Sequence, residues 1–211
     1  MQIPKPSENG SFELTPAGTF VAICYRFIDK GTQISEFNGE RKTRREVLLT
    51  WELTGEDKME DGRPFSISKG YTWSMHEKAT LRKDLESWRG RSFIDEDFDG
   101  PNAFNTRNLL GKACMLSVTH TTKGDKTYAN VASIGKLVKG MPVPPQTNPN
   151  VYLALTPEGW DAAVFGGLSD KLKAAIAASP EYSEITAKLK QHDDPGNGFH
   201  PGHDLDSDIP F

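Results

Sequence analysis

Between Arg44 and Met75 the hydrophobicity has a period of two, and this restricts the fold more than any other feature. Val47, Leu49, Trp51 and Leu53 fall on one side of an extended chain, with Leu48, Thr50 and Glu52 on the other, because successive side chains of a strand point to opposite faces. Phe65, Ile67, Lys69, Tyr71, Trp73 and Met75 alternate in the same way with Ser66, Ser68, Gly70, Thr72 and Ser74. A helix would scatter either set around its circumference, so both runs read as strands, and the charged segment 54–64, with Asp61-Gly62, turns between them.

Upstream, the β-branched and aromatic run from Thr19 to Ile28 carries no helical stripe and predicts an earlier strand. Asp29 to Glu40, with Gly31 and Gly39, reads as a long loop holding Phe37. After the third strand comes the clearest helical signal. Ser74 and Glu77 can form a capping box, Leu81, Leu85 and Trp88 make one stripe, and Gly90 stands at a C-cap position. Arg91 to Gly111 is less regular. Lys112 to Thr121 and Lys126 to Val138 read as two more strands around a hairpin loop with Gly124. Three strands, a helix and two strands are the order of the oligonucleotide-binding (OB) fold, a five-stranded Greek-key barrel that holds ligands on strands two and three. The expected fold is therefore mainly β, with the helix between strands three and four, over residues 1–140.

Composition shifts after Gly140. Four prolines between Met141 and Pro149 mark a linker. Residues 156–190 read as a short helical appendage, with starts at Thr156-Pro157 and Ser179-Pro180 and a stripe of Leu168, Leu172, Ala175 and Ile176. Residues 191–211 are rich in Gly, Pro, Asp and His and predict a disordered acidic tail. The organisation expected is 1–140, 141–190 and 191–211.

Several chemistries are disfavoured. Cys24 and Cys114 are the only cysteines, far apart, which predicts two reduced thiols and no metal framework. The polar start lacks a signal-peptide core and no apolar run reaches membrane-spanning length, so a soluble, intracellular protein without a membrane partner is expected. Gly111-Lys112 lacks the first glycine of a phosphate-binding loop, and His76-Glu77 lacks the second histidine of a zinc-protease helix. Asp204, Asp206 and Asp208 begin like a calcium loop, but Ile209 replaces its glycine. His192, His200 and His203 are irregularly spaced in a glycine-rich segment that reads as a solvated tether. With no catalytic constellation, neither an enzyme nor a cofactor is expected.

The charge is unevenly placed. Residues 1–140 hold 21 Lys+Arg against 19 Asp+Glu, whereas residues 191–211 hold five Asp and no Lys or Arg. A weakly basic body with a detachable acidic tail can bind a polyanion. Single-stranded DNA needs cations for phosphates and flat side chains for bases. Candidates are Phe37, Arg41, Lys42, Arg44 and Arg45 at the first loop and strand two, Lys69, Tyr71 and Trp73 on strand three, and Lys123, Lys126 and Tyr128 at the last hairpin. On this reading three distant segments converge on one face. The pattern turns Tyr71 outward and leaves Trp73 and Tyr128 open between core and stacking, while Trp51 belongs to the core.

The chain closes on Asp204, Asp206 and Asp208 followed by Ile209, Pro210 and Phe211. Phe211 offers a ring and a carboxylate that a partner can grip together. This ending resembles the C-terminal tip of bacterial single-stranded-DNA-binding proteins, which implies recruitment of replication and repair enzymes. The body, through Val47 to Leu53, Leu85-Glu86-Ser87-Trp88-Arg89-Gly90, Tyr128-Ala129-Asn130 and the tip, is similar to the single-stranded-DNA-binding proteins of bacteriophage replication modules. The resemblance implies coating of exposed strands during replication, recombination and repair in the cytoplasm of a bacterial host. A longer barrel and the helical appendage depart from the bacterial pattern, so the oligomeric state, with a homo-oligomer among the possibilities, does not carry over. The alternative is a protein-interaction adaptor without DNA binding, which predicts an apolar outer face on strands two and three.

Overall fold

The computed structural model describes residues 13–37, 39–55, 57–100 and 103–192, without the side chains of residues 37 and 190–192. It is mainly β. The strands are β1 (Gly18–Phe37), β2 (Glu40–Thr54), β3 (Ser66–Thr72), β4 (Ala113–Lys123), β5 (Lys126–Gly135) and β6 (Val151–Leu153). Helix α1 (Thr80–Arg89) lies between β3 and β4, and α2 (Ala162–Gly166), α3 (Asp170–Ala177) and α4 (Pro180–His192) follow β6. The first five strands form an antiparallel sheet in the order β3-β2-β1-β4-β5, while β6 joins β1 in parallel. The outer strands β3 and β5 come within 8 Å, Cα to Cα, but no ladder joins them among the described residues.

The predicted loop from Asp29 to Glu40 is instead the end of β1. Gly31 takes a φ of 69° beside a register shift between Asp29 and Gly31, which lets the strand bend and continue to Phe37. Past the bend, β1 and β2 form a two-stranded arm that pairs Thr32 with Arg45 and Phe37 with Glu40. Helix α1 starts at Thr80, later than the Ser74-Glu77 signal suggests, because the Ser74 hydroxyl is used locally on the His76 N–H. Its end is as expected: Gly90 has a φ of 70° and donates its N–H to Glu86 O.

Two apolar clusters flank the sheet. The larger packs Trp51, Leu49, Val47 and Leu53 against Leu81, Leu85 and Trp88 of α1 and Leu116, Val118 and Ile134 of β4 and β5. The second lies on the other side of β1 and β2, where Ile28 and Leu48 meet Leu153, Leu155, Leu168, Ile176 and Ile185. Leu48, Thr50 and Glu52, the non-core side of β2 by alternation, are therefore covered. The proline-rich linker meets the sheet at one point: Glu52, 1% exposed, accepts from Thr147 N and Asn148 N, both at 2.7 Å, and from Asn148 Nδ2 at 2.6 Å. Thr156-Pro157 opens a turn, and α2 begins instead at Asp161, whose carboxylate caps Ala163 N and Val164 N. Ser179-Pro180 does open α4, with Ser179 Oγ accepting from Tyr182 N.

Candidate nucleic-acid interface

The arm exposes a cluster of basic residues. Antiparallel pairing sets Arg41 opposite Glu36, Lys42 opposite Ser35 and Arg44 opposite Gln33, and all three cations are solvent-exposed. Lys42 reaches Glu40 at 3.3 Å on the surface, a pair that contributes little in water. Arg45 differs. It is ion-paired with Asp29 at 2.5 Å, and buried Asp29 also accepts from Gly31 N and Leu155 N. The Asp29 carboxylate raises the Arg45 pKa, and the guanidinium ties β2 to the bend of β1.

At the base of the arm, Arg44, His76 and Lys78 line an open cleft of about 390 Å³ with Thr72, Ser74 and Thr80. No Asp or Glu lines it. The pairing of β3 with β2 runs up to this point, where Thr72 pairs with Glu46 and Trp73 N donates to Arg45 O at 2.7 Å.

Strand β3 divides its candidate residues. The outward placement of Tyr71 is corrected: its ring is buried, and its hydroxyl donates to Asp84 Oδ2 at 2.9 Å. Lys69 sits on the same inner side, tolerated there because α1 brings Asp84 to its ammonium at 2.7 Å. Burial and the Asp84 charge drive the Tyr71 pKa up. Trp73, next in phase, is 40% exposed, and its ring meets Phe27 in a T-shaped contact at 6.1 Å.

Trp73 leads to aromatic residues that the sequence reading does not name. With Met75, Leu85, Phe93, Phe98, Phe104 and Thr106 it lines a mainly apolar cleft of about 150 Å³, to which Asp97 adds a carboxylate. Phe98 is 41% exposed, and Arg82 lies 5.7 Å from its ring centre. Nearby, Tyr152 stacks on Phe27 at 5.2 Å under the Arg107 guanidinium at 4.0 Å. Phe98 stands among Asp and Glu residues without apolar periodicity, the same signal that marks Phe37, and could have been found on that ground.

The third segment lies elsewhere. Lys123, Lys126 and Tyr128 are exposed at the β4–β5 hairpin, but Gly18 pairs with Val118 at the beginning of β1, whereas the arm leaves its end. The two hairpin tips are at opposite ends of β1, so two of the three predicted segments adjoin and the third stands apart. Phe37 closes the arm through its pairing with Glu40, and its side chain lies outside the described residues. The partner-binding candidates Asp204, Asp206, Asp208, Ile209, Pro210 and Phe211 also lie outside them.

No family model matches the chain, and no curated protein is significantly similar to it. Among the described residues no helix is long and apolar enough to cross a membrane. No group of three or more His, Cys, Asp or Glu among them could hold a metal ion.

Proposed function

We propose that the chain is a sequence-tolerant single-stranded-DNA-binding protein of bacteriophage type, built on an OB barrel and acting in replication, recombination or repair inside a bacterial host. The observation that carries this reading is the carboxylate-free cleft of Arg44, His76 and Lys78 beneath an arm exposing Arg41 and Lys42, one residue away from half-exposed Trp73. Cations would capture phosphates, and aromatic faces would then stack bases at about 1–3 kcal/mol each. The strand order and the approach of β3 to β5 support the barrel. The acidic tip at Asp204 to Phe211 would recruit replication and recombination enzymes.

The adaptor reading fares less well. It calls for an apolar outer face on β2 and β3; on β3 the exposed positions are Ser68, Gly70 and Thr72, with half-buried Ser66, and on β2 Leu48 is half-buried while Thr50 and Glu52 are buried.

The test is quenching of tryptophan fluorescence by oligo-dT at two salt concentrations, beside a duplex control. Trp51 and Trp88 are buried, Trp160 is half-buried and Trp73 is exposed, so the signal should vanish in Trp73→Phe. With about four cations engaged, the log-log salt slope should be near −3. Absence of oligo-dT binding at low salt would discard the reading.

A further inference from the structure

Phe104 also lines a second cleft, of about 320 Å³, at the carboxyl end of α1, within the ~300–1,000 Å³ of small-ligand sites. Arg89, Lys112 and Lys136 line it with Trp88, Asn108 and Leu109, and no Asp or Glu does. Lys112 and Lys136 are exposed and make no ion pair among the described residues. The Lys136 stem is held across the helix end, since a Cβ on Gly90 would lie 2.5 Å from its Cδ.

Arg89 is fixed in advance of any ligand. Its guanidinium lies over the Phe93 ring at 4.1 Å and gives Nη2 to Asp97 Oδ1 at 2.6 Å. Asp97 is shared with Arg91 at 3.0 Å, so two guanidiniums divide one carboxylate. Arg89 Nη1 is buried and has no hydrogen-bond partner. A buried charged donor left unpaired is destabilising and calls for an acceptor. Three cations thus line a cleft without a carboxylate, one of them carrying an unpaired donor, and a planar guanidinium beside two ammonium groups is suited to a tetrahedral oxyanion.

We propose that this cleft binds a phosphate group, supplied by the backbone of a single strand that continues past the aromatic cleft on the other side of the Phe104 wall. Only the source of the phosphate rests on the nucleic-acid reading; the anion site itself does not. The site is separate from the arm, and none of its three cations is among the residues that the sequence nominates.

The test uses the full chain, titrated with inorganic phosphate and followed by the NMR amide signals of Gly90, Lys112 and Lys136 and the Nε–H of Arg89. Phosphate should shift these signals, and Lys112→Ala/Lys136→Ala should weaken the response at least tenfold while leaving the fold intact, both side chains being at the surface. In a parallel oligo-dT titration the double variant should make the salt slope less negative by about 1.4, from two fewer phosphate contacts. The arm variant Arg41→Ala/Lys42→Ala/Arg44→Ala should keep its phosphate response. Phosphate shifts in a protein that ignores oligo-dT would uphold the site, sink the nucleic-acid reading and point to a free phosphate compound. Shifts unchanged by the double variant, or none at all, would overturn the proposal. So would signals that move on deletion of residues 204–211 but not with phosphate, which would assign the cleft to the chain's own carboxylates.

Discussion

Glu52 is a carboxylate on a central strand, stable there because three donors from Thr147 and Asn148 meet it. Replacing it by alanine leaves two backbone N–H groups without partners, so Glu52→Ala should cost about 3 kcal/mol, read as a lowered urea midpoint. Gly31 is constrained in another way. At a φ of 69° any side chain is strained, and a Cβ would collide with Ser179 and Leu155. Gly31→Ala should cost about 2 kcal/mol by the same measurement. The thiols are inert for want of solvation: burial pushes the Cys24 pKa up to about 12 and raises that of Cys114 as well. Thiolate is the reactive form, so at pH 8 the native protein should resist iodoacetamide, and mass spectrometry should find both cysteines modified only after denaturation.

The β1–β2 arm and the C-terminal helices are one structural unit joined at the bend of β1. Glu181 of α4 accepts from Thr32 N at 2.8 Å and from Thr32 Oγ1 at 2.5 Å, and Gln33 donates to Ala175 O at 2.9 Å. The appendage thereby holds the root of the arm and leaves its outer half free to meet a ligand. Ile176, 0% exposed, anchors α3 against this root, and Ile176→Ala should cost about 3 kcal/mol through the cavity it leaves. Neutralising Arg41, Lys42 and Arg44 removes only exposed charge, so the melting temperature should hold. Oligo-dT affinity should fall, with a salt slope less negative by about 2. Loss of stability without loss of binding would make the arm structural.

For the whole molecule, pH acts through the carboxylates that stitch α1 to the loop after it. The Arg89 guanidinium holds the Asp97 pKa below its ordinary value, and the Phe93 N–H, with Arg82, does the same for Glu86. A folded pKa below the unfolded one contributes stability that is present above the unfolded value, complete from about pH 5 to 6, and is lost as pH falls through the folded value. Denaturation midpoints should therefore decline below that range, and Asp97→Asn should show a shallower acid limb than the parent chain. Charge asymmetry acts at the same scale. With a net +2 over residues 1–140 against −5 over 191–211, deleting residues 204–211 should tighten oligo-dT binding at low salt, and unchanged affinity would mean that the tail does not compete with DNA.

Elements with local signals are legible in the amino-acid order alone. A period of two placed β2 and β3 and buried Trp51, and a stripe of Leu81, Leu85 and Trp88 ending at Gly90 defined α1. These follow from backbone geometry, which each residue shares with its chain neighbours. Features that depend on partners far along the chain arise only on folding. Asp84 drew Lys69 and Tyr71 inward, Asp29 took Arg45, and the β6–α4 segment covered the side of β2 that alternation leaves to solvent. Likewise, only folding brought Phe98, Phe104 and Trp73 around one cleft, and Arg89, Lys112 and Lys136 around another. Periodicity tells which face a side chain takes, but the charge or ring that meets it there comes from another part of the chain.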